Sequence, residues 1–177
     1  MLASLFRQNP RHLAVHAAYR RIVERAREPV FYTDWGVPDT LDGRFELLAL
    51  HAFLVLHRLK RDHAETQGFA QALFDTMFAD LDRALREMGV GDLGVGRRVK
   101  EMARGFYGRI LAYEEGLADP AALDAALRRN LYGTGVPSDA QRVLVVADYV
   151  HRQSAALAAQ GKESLLAGDV EFAPVAA

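Results

Sequence analysis

The chain has 177 residues, half of them hydrophobic and a quarter charged, with a formal net charge of −1. That length suits one domain able to bury about 70% of its unfolded surface. The balance excludes a disordered chain and a protein held to nucleic acid by bulk charge alone, so no specific nucleic-acid partner is expected. The absence of cysteine removes disulfide scaffolds, thiolate catalysis, Cys-ligated zinc and iron–sulfur clusters, and it fits a reducing compartment.

Apolar residues recur at helical spacing almost throughout, and period-two alternation is nearly absent. The spacing predicts six helices. The first runs from about Pro10 to Arg27, with Pro10 in the first turn where its missing N–H costs nothing. The start MLASLFRQNP lacks the apolar run of about 7–15 residues that a signal peptide needs, so a cytoplasmic protein is expected. Residues 31–43 form a connector rich in turn formers. Its three aromatics, Phe31, Tyr32 and Trp35, predict that it packs back on the body.

The second helix spans about Leu41 to Arg61, with Thr40 or Asp42 as candidate cap. It is apolar on nearly all sides between Leu47 and Leu56, which places it at the centre of a bundle. That stretch is too short for a membrane span of about 20 residues. The third helix runs from about Gln67 to Met88 and ends at Gly89. Residues 89–96 read as a loop before the fourth helix, about Val95 to Leu117, whose interior Gly105 and Gly108 suggest close packing on a neighbour. A short fifth helix follows Asp119–Pro120 and reaches about Asn130. Ser138 is the candidate cap of a sixth helix ending near Gln160. The expected architecture is all-α, a single-domain bundle of about six helices. Its parts are a basic N-terminal helix over residues 1–30, a core over 31–133, a C-terminal helix over 134–160 and a loose tail over 161–177.

Few residues offer chemistry. Gly89, Gly91 and Gly94 match a dinucleotide-binding spacing, but a helix precedes them where the fingerprint needs a strand. A helix cap with a tight turn is one reading. A backbone N–H cluster beside Arg97, Arg98 and Lys100 that takes an anionic group is another. His12 and His16 lie at i, i+4 without an evident third metal ligand. His51 sits among apolar residues as a core histidine. Asp148 and His151 stand at i, i+3 with no nucleophile beside them. No Glu-x-x-His pairs, Walker loop or nucleophile elbow occurs. The sequence therefore predicts no active site, no metal and no cofactor.

Charge is uneven. Residues 1–30 and 97–109 each carry net +4, and residues 110–177 carry −4. Two basic zones suit an acidic partner or an anionic membrane surface, the latter through the N-terminal helix; solvated helix faces are the plainer reading.

Three stretches are more informative than any periodicity. The run from Tyr32 to Glu46 (YTDWGVPDTLDGRFE), the run from Phe74 to Arg109, and the later Arg129–Gly133 (RNLYG) together resemble the ubiquinol–cytochrome c chaperone family. The resemblance covers residues 31–133. It implies a non-enzymatic assembly factor of the respiratory cytochrome bc1 complex that binds newly made cytochrome b. It also raises the ribosome and a small partner protein as candidate contacts. A bacterial member, without the targeting segment of mitochondrial ones, is expected.

Joined with the apolar content of the third and fourth helices, this sets a candidate partner-binding site at their junction. Phe74, Met77, Phe78 and Asp80 come from the third helix. Arg97, Arg98, Lys100, Phe106 and Tyr107 come from the fourth. Peripheral membrane binding is the alternative function, and a phosphate-binding enzyme at the glycine-rich loop is a more remote one.

Overall fold

The computed structural model describes residues 10–133 and 139–175. Among them there are helices and no strands. α1 is Pro10–Ala26, α2 Val30–Thr33, α3 Leu41–Lys60, α4 His63–Glu87, α5 Asp92–Ala118, α6 Pro120–Leu127, α7 Ala140–Ala159 and α8 Lys162–Leu166. A wide π-type turn, Arg128–Tyr132, continues α6. The six long helices are those the periodicity predicts. The all-α bundle has two further short helices and a shorter glycine-rich loop than expected.

α3 is the axle. Leu47, Ala49, Leu50, Phe53, Leu54, Val55 and Leu59 are each at most 1% exposed, on all sides of the helix. Such a helix is stable only if neighbours cover its whole circumference, and α1, α4, α5 and α7 all pack on it. Its start is set by Thr40, whose hydroxyl accepts from the Gly43 N–H at 3.1 Å, a cap that contributes about 1 kcal/mol. A Cβ at Gly43 would stand 2.0 Å from the Pro38 carbonyl oxygen, so only glycine lets the connector lie against this first turn.

His51, inside α3, is fully buried. Its Nδ1 lies 2.7 Å from the Leu47 carbonyl and its Nε2 lies 2.8 Å from the Tyr149 hydroxyl of α7. The carbonyl can only accept, so Nδ1 carries the proton and Nε2 accepts from Tyr149. The core histidine therefore makes two hydrogen bonds. Phe31 and Trp35 stack edge-on against Tyr149, which confirms that the connector packs inward. Arg58 closes the other end of α3. It donates to the carbonyls of Leu157 and Gln160 at the end of α7 and to Asp62 before α4.

Three expectations are corrected. The tail is not loose through Val175. Leu165, Val170 and Val175 are buried, and Gly168, at φ +91°, lies where a Cβ would meet the Ala14 carbonyl oxygen at 2.5 Å. Beyond the short α8 this segment is neither helix nor strand, so it shows no helical period. Its carbonyls are bound instead by side chains: Arg25 to Phe172, Gln153 to Ala173, and Arg152 to Pro174 and Val175. Secondly, Gly105 and Gly108 do not sit at a helix crossing; Gly108 faces open space, and it is Gly116 that meets Leu123 of α6. Thirdly, Ser138 lies outside the described residues, and Asp139 caps α7 by accepting from the Gln141 N–H at 2.9 Å.

The buried histidine sets a pH dependence. Burial, with a smaller effect from Arg25, pushes its pKa down to about 4 from about 6.5 in the unfolded chain. The unfolded state thus binds the proton first, and stability falls as pH drops through that window. Between about pH 7 and about pH 5 the protein is expected to lose about 2 kcal/mol from this group. Urea unfolding midpoints check it: His51→Gln should flatten the slope, and an unchanged slope would exclude His51 as its source.

Candidate functional site

The structure divides the predicted site residues among three environments. Met77 and Phe106 are 1% and 0% exposed and belong to the core. They offer a partner nothing, because helical spacing puts them on the inward side of the seam between α4 and α5. Phe78 lies largely beneath that seam at 8% exposure, its ring 4.6 Å from that of Phe74. Asp80 is also turned away. It accepts from the Tyr19 hydroxyl of α1 at 2.9 Å and pairs with Arg83, so it faces the groove of about 1070 Å³ between α1 and α4. Removal from water and the Asp80 carboxylate both push the Tyr19 hydroxyl well above its ordinary pKa.

Arg98 points to a second place, where it binds Asp42 of α3 at 2.8 Å. This is a cleft of about 460 Å³ between the start of α3, the middle of α5 and the π-type turn. Glu46 and Arg109 form its buried floor, a two-bond ion pair with one contact of 2.6 Å, and the guanidinium lies over the Phe45 ring. Burial pushes the Glu46 carboxyl up, and Arg109 offsets only part of that. Tyr132 donates to the Trp35 carbonyl at 2.9 Å across the same cleft. The three stretches that carry the family resemblance thus converge here. Thr40, Gly43 and Glu46 come from the first, Arg98 and Arg109 from the second, and Asn130 and Tyr132 from the third. Most of what these residues do is hold α3, α5 and the turn together.

The third environment is the outward face of α5. Leu93, Arg97, Lys100, Arg104, Tyr107 and Leu111 follow one another at alternating steps of four and three residues, which puts them in one line along the helix. All six are exposed, Leu93 at 96%, Tyr107 at 58% and Leu111 at 68%. Half-buried Phe74 of α4 adjoins the line, its ring 5.7 Å from that of Tyr107. Arg97, Lys100 and Tyr107 are the predicted residues that the structure brings together. Leu93, Arg104 and Leu111 were missed, although the 4-3-4-3-4 spacing was present in the sequence; what it lacked was the burial that tells the outward line from the inward one.

The glycine-rich loop is shorter than predicted and forms no phosphate cradle. It comprises Gly89 to Gly91, and Gly94 and Gly96 are already helical. The Asp92 carboxylate occupies the first turn of α5 and pairs with Arg86, so the positive end of the helix is already met by an anion. Among the described residues, no group of three or more His, Asp or Glu side chains is placed to hold a metal ion, and the His12 and His16 rings simply touch, 3.3 Å apart at Nε2.

The buried pair in the cleft gives a direct expectation. Arg109→Met leaves the Glu46 carboxylate without its cation and should cost about 3 kcal/mol. Glu46→Gln combined with Arg109→Met should recover most of that. Denaturant midpoints of the single and double variants test it, and equal losses in both would show that the pair is not coupled.

No helix among the described residues is long and apolar enough to cross a membrane. Residues 33–172 match the family model described as ubiquinol-cytochrome C chaperone, a longer stretch than the resemblance read from the sequence. The chain is 28% identical over 165 residues to the ubiquinol-cytochrome-c reductase complex assembly factor 1 of Xenopus laevis, covering 92% of this chain and 82% of that protein. It is 28% identical over 148 residues to the mitochondrial protein CBP3 of Saccharomyces cerevisiae, covering 81% of this chain and 44% of the yeast protein. The crystal structure of the Cbp3 homolog from Brucella abortus superposes with a TM-score of 0.84 at 39% identity, over 99% of this chain and 98% of that one. The chain belongs to the ubiquinol-cytochrome C chaperone family.

Proposed function

We propose that this protein is a non-catalytic assembly factor of the cytochrome bc1 complex that holds newly made cytochrome b, with the outward side of the α4–α5 seam as its client surface. The names of its relatives, assembly factors of ubiquinol-cytochrome c reductase, support the complex. The observation that carries the surface is the exposed apolar end of the α5 line. Tyr107 and Leu111 stand clear of the bundle beside Phe74, and no element among the described residues covers them. A newly made membrane protein presents apolar helices, and such helices are matched by an apolar groove with aromatic anchors. The open backbone at Gly108, between Tyr107 and Leu111, lets a second helix approach closely. Its cost of about 1 kcal/mol relative to alanine has no compensation within the fold.

Holding a client in this way needs no bond-making chemistry. The titratable groups with clear pKa shifts sit in structural pairs such as Glu46–Arg109, or are tyrosines and a histidine removed from water. The proposed place of work is the cytoplasmic side of the membrane that receives cytochrome b. A photo-activatable residue at position 107 or 111 should crosslink to cytochrome b in cells that make it, and the same residue at position 16, on the far side of the bundle, should not. Crosslinks of equal strength from both faces would defeat the assignment.

A further inference from the structure

The cationic half of the α5 line is distinct from its apolar end. Arg97, Lys100 and Arg104 are exposed and have no acidic partner among the described residues. By contrast, Arg58, Arg86, Arg98, Arg109 and Arg152 each hold a carboxylate. The basic N-terminal helix, the other candidate, is partly spent in the same way. Arg21 pairs with Glu24, and Arg25 pairs with Glu28 and binds the Phe172 carbonyl. The three free cations lie within about 10 Å along one side of α5. One turn nearer the hairpin tip stands Leu93, the most exposed large apolar side chain of the described residues. Nearby acids cancel only part of the charge: Asp92 is paired with Arg86, and exposed Glu101, four residues from Arg97 and three from Arg104, forms an ion pair with neither, which leaves the row a net charge of +2.

We infer that this half of the line docks on an anionic phospholipid surface, with Leu93 entering the headgroup boundary and Arg97, Lys100 and Arg104 meeting lipid phosphates. Charge complementarity selects that occupant. A row of unpaired cations behind one fully exposed leucine matches a layer of phosphates over an apolar interior, whereas a neutral apolar helix would leave the cations without partners. The site moves the expected membrane contact from α1 to α5. It places lipid beside the Tyr107–Leu111 surface, so a client held there lies next to the bilayer. That last consequence rests on the client reading above; the lipid contact itself does not.

Flotation of the purified protein tests it, with vesicles of phosphatidylcholine alone and of phosphatidylcholine mixed with phosphatidylglycerol. The protein should float with the mixed vesicles only, and salt should release it. Replacing all three cations by glutamine should cut partitioning about 100-fold at low salt, because each cation near an anionic surface contributes about fivefold. Leu93→Ser should weaken partitioning about tenfold, with little dependence on salt. Circular dichroism melting confirms that both variants fold. Equal flotation with neutral and mixed vesicles, or unchanged flotation of the triple variant, overturns the inference. So does a triple variant that loses crosslinking to cytochrome b while the unaltered protein ignores anionic vesicles, since the stripe would then serve an acidic protein. A failed crosslink at Tyr107 alongside salt-sensitive flotation sinks the client reading and supports this one.

Discussion

A helix that is apolar around its whole circumference cannot face water, and α3 is such a helix. Four of the long helices are placed by the need to cover it. α1, α4, α5 and α7 wrap its sides, and the α2 segment with Trp35 seals it toward α7. The folded tail brings the Phe172 ring to 5.5 Å from that of His51. Two of the polar groups that this burial would strand are matched by partners. His51 is neutral and bonded at both nitrogens. Arg58 spreads its donors over the C-terminal end of α7 and the turn into α4. Leaving any one of them unmade would cost about as much as a buried unsatisfied group, roughly 1–3 kcal/mol. Specificity of assembly therefore comes from a few polar contacts, and the driving force from the apolar ones.

This division explains where the fold and the family words meet. The stretches shared with the chaperone family sound like a binding motif, yet in space they build the joint at the start of α3. Thr40 caps it, Gly43 lets the connector close, Glu46 takes Arg109, and Tyr132 ties the π-type turn to Trp35. The surface proposed for partners, the outer side of α5, falls mostly within the second of these stretches, but its residues do not line the joint.

Much of the architecture was legible from period alone, because each long helix buries one stripe and α3 buries all of itself. The rotation of each helix about its axis was not legible. Met77 and Phe106 look as available as Phe74 and Tyr107 on a helical repeat, and only packing separates them. Asp80 and Arg98 were read as partner-facing charges. In fact Tyr19, 61 residues away, and Asp42, 56 residues away, take them, and no local pattern announces such distant pairs. The tail escaped for a different reason: irregular chain bound through its carbonyls has no signature in side-chain period. The near-zero net charge likewise conceals an exposed row of cations on α5 beside an apolar patch.

The central claim is that this protein works through the face of α5 that its own fold leaves uncovered. Replacing the chromosomal gene by one carrying Tyr107→Glu and Leu111→Glu, then measuring assembled bc1 complex by native electrophoresis and its b-type haem absorbance, tests that most directly. Both side chains point to solvent, so the altered protein should accumulate folded at its normal level. A loss of about tenfold in assembled complex is expected. A normal amount of bc1 complex beside a normally folded variant would contradict it.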